Sequence, residues 1–246
     1  FSQPFSRLTR STILSGAVDR IEFSTYIMTV KNKQILVLGG SGFIGSHVVD
    51  ELFSRGANIT VLNRSTSSKH NNLKKVRDKI EIIAMDMNSP DFIALVAHGS
   101  FDVVLHFAGT ASVSRSVEQP YENFEEDLHG TVRLLECLRC HSPETRFIFT
   151  SSAAVYGNPV RLPMSETDPT FPISPYGVAK LSVERYCSVY SELYHLHCAS
   201  IRPFSIYGPR QKNLLVYDLI KKLTDNPHKL TMLGTGMESR DFIFIT

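Results

Sequence analysis

From Lys33 onward the sequence alternates short runs of β-branched and other apolar residues with longer segments of helical period. This constrains the chain more than any other feature. Strands buried on both faces read as near-continuous apolar runs, whereas the helices that cover them carry one apolar stripe. The runs predict strands at 34–38, 59–62, 80–85, 103–107, 146–151 and about 198–202. Helical spacing predicts helices at 45–55, where Val48, Val49, Leu52 and Phe53 recur before Gly56, at 128–138, and at 176–194 behind Ser174-Pro175. A doubly wound α/β fold around a parallel sheet follows. After Pro203 the alternation breaks into a loop, a helix at 215–223 and a strand pair at 230–233 and 241–245.

The length of 246 residues, at ~150 residues per domain, suits one large domain and part of another. The expected division is one large domain at 28–202 and part of a second at 203–246. With 42% apolar and 20% charged residues there is ample material for a core, which excludes disorder as the main state. Twenty-six basic against twenty-four acidic side chains leave a net charge of +2, too little for a dedicated nucleic-acid binder. No apolar run approaches the ~18 residues of a membrane span, so no membrane partner is expected. Cys137, Cys140, Cys187 and Cys198 are too few and too irregular for a disulfide framework, which points to a reducing, cytoplasmic compartment. Met28 reads as the natural start and 1–27 as an extension outside the fold. Arg7, Arg10 and Arg20 among Ser and Thr suggest a transit peptide, against which stand Asp19, Glu22 and the absence of an initiator Met.

The first strand runs into Gly39-Gly40-Ser41-Gly42-Phe43-Ile44-Gly45 and then a helix. Gly39 permits the tight turn, Gly42 lets backbone N–H groups approach a pyrophosphate, and Gly45 allows close helix-to-strand packing. This is the Rossmann context of a dinucleotide site, so 28–202 reads as a dinucleotide-binding domain and 203–246 as a partial substrate-binding domain. At the end of strand two an acidic residue would bond the adenosine ribose of NAD, and this chain has Asn63-Arg64 instead. Asparagine does not repel a 2′-phosphate and Arg64 could pair with one, so NAD and NADP both remain open.

Tyr176 and Lys180 are four apart at the start of a helix and share one face. An ammonium beside a phenol favours the phenolate, which makes such a tyrosine usable as a general base. The pair is weak evidence alone. It gains weight from the serine cluster Thr150-Ser151-Ser152, which falls at the C-terminal end of a parallel strand, where open sheets bind ligands.

With these pieces in place the chain resembles the extended short-chain dehydrogenases/reductases, in the NAD-dependent nucleotide-sugar epimerase/dehydratase family. The matching segments are GGSGFIG, Asp86, HFAG at 106–109, GTVRLLE at 130–136, SSAAVYG, SPYGVAK at 174–180, RPFSIYGPRQ at 202–211 and RDF at 240–242. The resemblance implies an epimerase acting on a nucleotide sugar through a transient keto-sugar. Ser152 would bond the reacting hydroxyl, Tyr176 would be the base, and Lys180 would hold the nicotinamide ribose and tune the tyrosine. Cofactor contacts would come from Gly39, Gly42, Phe43, Ile44, Gly45, Asn63, Arg64, Asp86, Met87, Phe107, Ala108 and Gly109, together with Tyr176 and Lys180. Substrate contacts would come from Ser152, Tyr176, Ser205 and Arg240. The resemblance also allows a homodimer. No second Cys/His pair offers a zinc site, so no metal is expected. Rival readings are a net reductase or dehydrogenase of the same superfamily and a non-catalytic dinucleotide-binding protein.

Two positions depart from the family pattern, Ser205 and Asp127, each standing where asparagine is frequent. Asp127 reads as a packing residue. Relatives of this kind continue beyond RDF, so the C-terminal domain is expected to be truncated and the chain as given to lack turnover. Cys137-x-x-Cys140-His141 matches a haem-attachment spacing, but it lies at the end of a helix and reads as structural, and His106 reads as a bonded core residue.

Overall fold

The computed structural model describes residues 29–64, 72–109, 111–232, 234, 235, 237 and 239–246. The proposed extension 1–27 therefore lies outside the described residues. The chain runs β1 (Gln34–Leu38), α1 (Phe43–Ser54), β2 (Asn58–Asn63), β3 (Glu81–Ala84), α2 (Pro90–His98), β4 (Val103–His106), α3 (Val113–Glu118), α4 (Pro120–Asn123), a π-helical segment (Phe124–His129), α5 (Gly130–His141), β5 (Arg146–Thr150), α6 (Pro175–Tyr194), β6 (Cys198–Ile201), β7 (Ser205–Tyr207), α7 (Leu215–Asp225) and β8 (Phe242–Phe244).

The first six strands form one parallel sheet in the order β3-β2-β1-β4-β5-β6. Side chains of a strand alternate between faces, and β1 divides its residues accordingly. Leu36 and Leu38 join Leu62, Val104, Phe147 and Phe149 on one face, covered by Phe92 and Val96 of α2, Leu134, Leu135 and Leu138 of α5, and Val183 of α6. Ile35 and Val37 join Ile59, Val61 and Leu105 on the other, where α1 contributes Val49. The chain reverses its direction of sheet growth between β1 and β4, so the crevice beyond their C-terminal ends is the switch point where such sheets bind ligands.

The structure adds helices that the sequence reading lacks. α2 is capped by Ser89, whose Oγ accepts from Phe92 N at 3.1 Å, with Pro90 in its first turn. The helix predicted at 128–138 is the last part of a run that starts at Val113. The predicted strand pair 230–233 with 241–245 is corrected. Residues 230–232 form no strand, and β8 instead pairs in parallel with β7, Ser205 opposite Phe242 and Tyr207 opposite Phe244. Ring packing accompanies this pairing, since Tyr207 meets the rings of Phe242 and Phe244 edge-on, with centroids at 6.1 and 5.4 Å. The segment after β7 is tied to α1 by an ion pair between Arg210 and Asp50 and a hydrogen bond between His47 Nε2 and Pro209 O at 3.0 Å. Among the described residues no helix is long and apolar enough to cross a membrane.

Candidate active site

The turn after β1 is shaped by close backbone approach. Gly39 has φ +75° and passes so near β4 that a Cβ there would lie 2.7 Å from Ala108 N. Ala108 follows half-buried Phe107, so the β1 and β4 ends border one crevice. Gly42 caps α1 without a side-chain bond, half-buried Phe43 and Ile44 open the helix, and Gly45 is buried in its first turn. The first N–H groups of a helix lack intrahelical partners and favour an anion.

At the end of β2, Asn63 Oδ1 accepts from Ser41 N at 3.2 Å and Ser41 Oγ at 2.8 Å. This turns Nδ2 outward from the bond pair, and it is buried with no partner. A buried donor without an acceptor is costly, so the position suits a ligand oxygen. Arg64 instead bonds Glu126 at 2.6 Å. Asp86 is exposed, accepting from Asn88 N at 2.7 Å, and Met87 lies beside Gly130. The open glycine turn and the orphaned Asn63 amide together fit a dinucleotide.

On the other side of the switch point, Ser152 ends the turn after β5 in extended backbone, and its Oγ accepts from Ala154 N at 3.2 Å. α6 starts opposite, with Ser174 Oγ accepting from Gly177 N at 3.2 Å and Tyr176 N donating to Ser116 Oγ at 3.1 Å. A Cβ on Gly177 would lie 2.7 Å from Ala154 O, so only glycine lets α6 come this close to the serine turn. The approach brings the Ser152 hydroxyl close enough to the Tyr176 phenol to favour its ionised form. Burial raises the Tyr176 pKa above its ordinary value, the Ser152 bond opposes this, and the charge of Asp127 adds to it.

Lys180 lies one turn on, 6% exposed, with Nζ 4.8 Å from the Phe149 ring centroid and 5.7 Å from that of Tyr176. Burial lowers its pKa and Asp127 raises it. His106 sits beneath at the end of β4, its pKa lowered to about 3 by burial and then by the Lys180 charge. Thr131 Oγ1 donates to Asp127 O at 2.7 Å, so it accepts from His106 Nε2 at 3.0 Å, leaving Nδ1 unprotonated and without a partner. His106 is therefore a neutral, bonded core residue, as its sequence context suggested.

Ser152, Tyr176 and Lys180 thus come together with Gly109, which borders Lys180, across the crevice from the glycine turn. Ser205 begins β7 half-buried and Arg240 lies exposed in the coil before β8, and neither shares a hydrogen bond with that cluster. The cysteines are all free thiols, and among the described residues no group of His, Cys, Asp and Glu could hold a metal. Cys137 is buried at Ile93 O while Cys140 is exposed, so they do not form a paired site.

The sequence profile of the NAD dependent epimerase/dehydratase family matches residues 35–246. The chain belongs to that family. It is 34% identical over 215 residues to a UDP-glucose 4-epimerase of Mycolicibacterium smegmatis, a match spanning 85% of this chain and 69% of that protein. The UDP-N-acetylglucosamine 4-epimerase of Methanobrevibacter ruminantium superposes with a TM-score of 0.80 at 32% identity, over 87% of this chain and 70% of that one. The UDP-glucuronic acid 4-epimerase of Bacillus cereus, solved with UDP-glucuronic acid and NAD, gives 0.78 at 31% identity, over 86% and 69%. NAD is thus the cofactor of the family, and family members crystallise with it.

Three residues around the cluster escape the sequence reading as site residues: Ser116, Asn123 and Asp127. Asp127 is buried as packing requires, but it also faces Lys180. Its place on a π-helical turn inside an acidic, aperiodic stretch gives no spacing signal, and the departure from asparagine was the one available clue.

Proposed function

We propose that the protein interconverts UDP-sugars that differ in the configuration of one hydroxyl-bearing carbon. The observation that carries this reading is the crevice where the Tyr176 phenol lies beside Ser152, which favours its ionised form, and is backed by buried Lys180 at the C-terminal edge of the sheet. Gly39 to Gly45, Asn63 and the 107–109 turn would hold the dinucleotide, with Asp86 and Met87 beside its adenine. When bound, it supplies the acceptor, and then the donor, for the hydrogen on the reacting sugar carbon. Tyr176 takes the proton of the sugar hydroxyl and returns it after the keto-sugar has turned over. Ser152 shifts its hydrogen bond to the reacting oxygen, and the Lys180 ammonium stabilises the phenolate. Ser205 and Arg240 would contact the nucleotide diphosphate.

Dehydration of the sugar needs acidic partners next to the Ser152 position, and here Ala153 and Ala154 carry only methyl groups, which transfer no proton. Incubation of UDP-glucose, UDP-N-acetylglucosamine and UDP-glucuronate with NAD and the protein at its natural length, the form for which turnover is expected, should yield the epimer of at least one and no 4-keto-6-deoxy product. A dehydrated product, or net reduction consuming cofactor, would overturn the reading.

Cofactor choice follows from Asn63 and Arg64. Without a carboxylate at Asn63, NADP is expected to bind at most roughly tenfold more weakly than NAD, about 1.4 kcal/mol. Arg64 is 63% exposed in its pair with Glu126, and such a pair is worth only ~1 kcal/mol or less, so a 2′-phosphate can compete for it. Glu126→Gln is expected to strengthen NADP binding and leave NAD unchanged by calorimetry. A strong NAD preference that persists in the variant rules this out.

A further inference from the structure

Lys180 is the one buried ammonium beside the phenol, and a carboxylate faces it from a different element. Asp127 is 2% exposed and sits on the π-helical segment, a rare geometry that often marks functional positions because the extra residue re-aims a side chain. Its Oδ2 accepts from Asn123 Nδ2 at 2.5 Å, which turns Oδ1 toward the end of β4. There a Cβ on Gly109 would strike Asp127 Oδ1 and would lie 3.5 Å from Lys180 Nζ. Carboxylate and ammonium therefore flank the same glycine. We propose that Asp127 is a positioning residue of the active site, the buried counter-ion that holds the Lys180 ammonium beside Tyr176 and sets the pH range in which the phenol can act as base.

A buried ammonium without a counter-charge tends to lose its proton, and a lysine in that state can no longer stabilise a phenolate. Among the described residues the groups facing the Tyr176–Lys180 pair are few. On α6 the next carboxylate, Glu184, is taken up by Arg202, β4 supplies His106, which is neutral, the turn after β5 supplies the uncharged Ser152, α3 supplies the Ser116 hydroxyl, and β5 supplies the Phe149 ring. Asp127 is the negative charge acting on both. It favours the ammonium and disfavours the phenolate, so both groups are held at higher pKa than they would have with an amide in its place.

Asp127→Asn keeps the shape and can still accept the Asn123 bond through its own Oδ1, but removes the charge. Without that charge an anionic phenolate is easier to form and a cationic ammonium harder to keep, so both limbs of the pH profile move toward lower pH. This inference rests on Tyr176 as the base, so the test separates the two. Tyr176 is titrated by its tyrosinate absorbance as a difference against Tyr176→Phe, in wild type, Asp127→Asn and Asp127→Ser, alongside the pH profile of UDP-sugar epimerisation. Both variants are expected to titrate at a lower pH by about one unit, a tenfold gain in phenol acidity. The acid limb of the kcat profile should shift in step. An unchanged or opposite phenol titration in folded variants overturns the proposal. So does failure of both to fold, which would make the carboxylate purely structural. If wild type epimerises no UDP-sugar, the functional reading fails while the titration still decides the role of Asp127.

Discussion

Tyr176→Phe is expected to reduce epimerase turnover at least ~100-fold, the scale of a positioned general base, while cofactor affinity changes little. The phenol oxygen is the group whose ionised form Ser152 favours, whereas the ring packs on the Lys180 side, so phenylalanine removes one oxygen and keeps the ring contact. The fold should survive, because Tyr176 is anchored through its backbone N–H to Ser116 and by Ser174 at the helix start, neither of which involves the phenol. A melt protected by NAD as in wild type, with turnover lost, would locate the defect in proton transfer. Near-wild-type turnover would move the base elsewhere, and Ser152 would be the next group within reach of the same proton.

How far the site could be read from sequence depends on the range of the physics behind each part. Gly39, Gly42 and Gly45 could be placed because a strand, a tight turn and a helix start are local events with short, fixed spacing. Tyr176 and Lys180 share a face because helical period demands it. Their proximity to Ser152 needed the sheet order, which the alternation of strands and helices implies through parallel topology. The acidic, aperiodic run before Gly130 resisted reading, since a π-helical turn has neither the helix nor the strand period, and Asp127 therefore emerged only in three dimensions. β7 is three residues long and gains its partner from β8, about forty residues later in the chain, so no local window could distinguish 242–244 with 205–207 from the pairing that the sequence suggested. α2 could have been found, because Ser89-Pro90 is a start signal and Phe92 and Val96 are one turn apart, both buried.

Glu184→Ala is expected to destabilise the fold more than any single change at the surface. Glu184 lies two turns beyond Tyr176 on α6, and its carboxylate takes Arg202 in a forked pair, with Nε at 2.9 Å from Oε1 and Nη2 at 2.6 Å from Oε2. The guanidinium also donates through Nη1 to the Tyr156 hydroxyl at 2.9 Å and to Glu166 O at 3.1 Å, and it sits 4.9 Å from the Tyr156 ring centroid. One side chain thus binds α6, the end of β6 and the turn that follows Ser152. The two side chains are only 9% and 19% exposed, so water replaces the lost carboxylate only in part and Arg202 would remain charged and largely buried. Removing one partner of such a pair costs ~3 kcal/mol, at the low end of the buried range because Arg202 keeps some solvent contact. For a domain of this size that corresponds to a Tm lower by about 6–12 °C. Arg202→Lys should recover little, since a lysine cannot make the forked bond or stack flat on Tyr156. The measurement is thermal unfolding of wild type, Glu184→Ala and the double variant Glu184→Ala/Arg202→Met. If the unpaired charge is the cause, the double variant unfolds at a higher temperature than Glu184→Ala alone. Equal melting of all three would show that the pair contributes specificity of packing and no net stability.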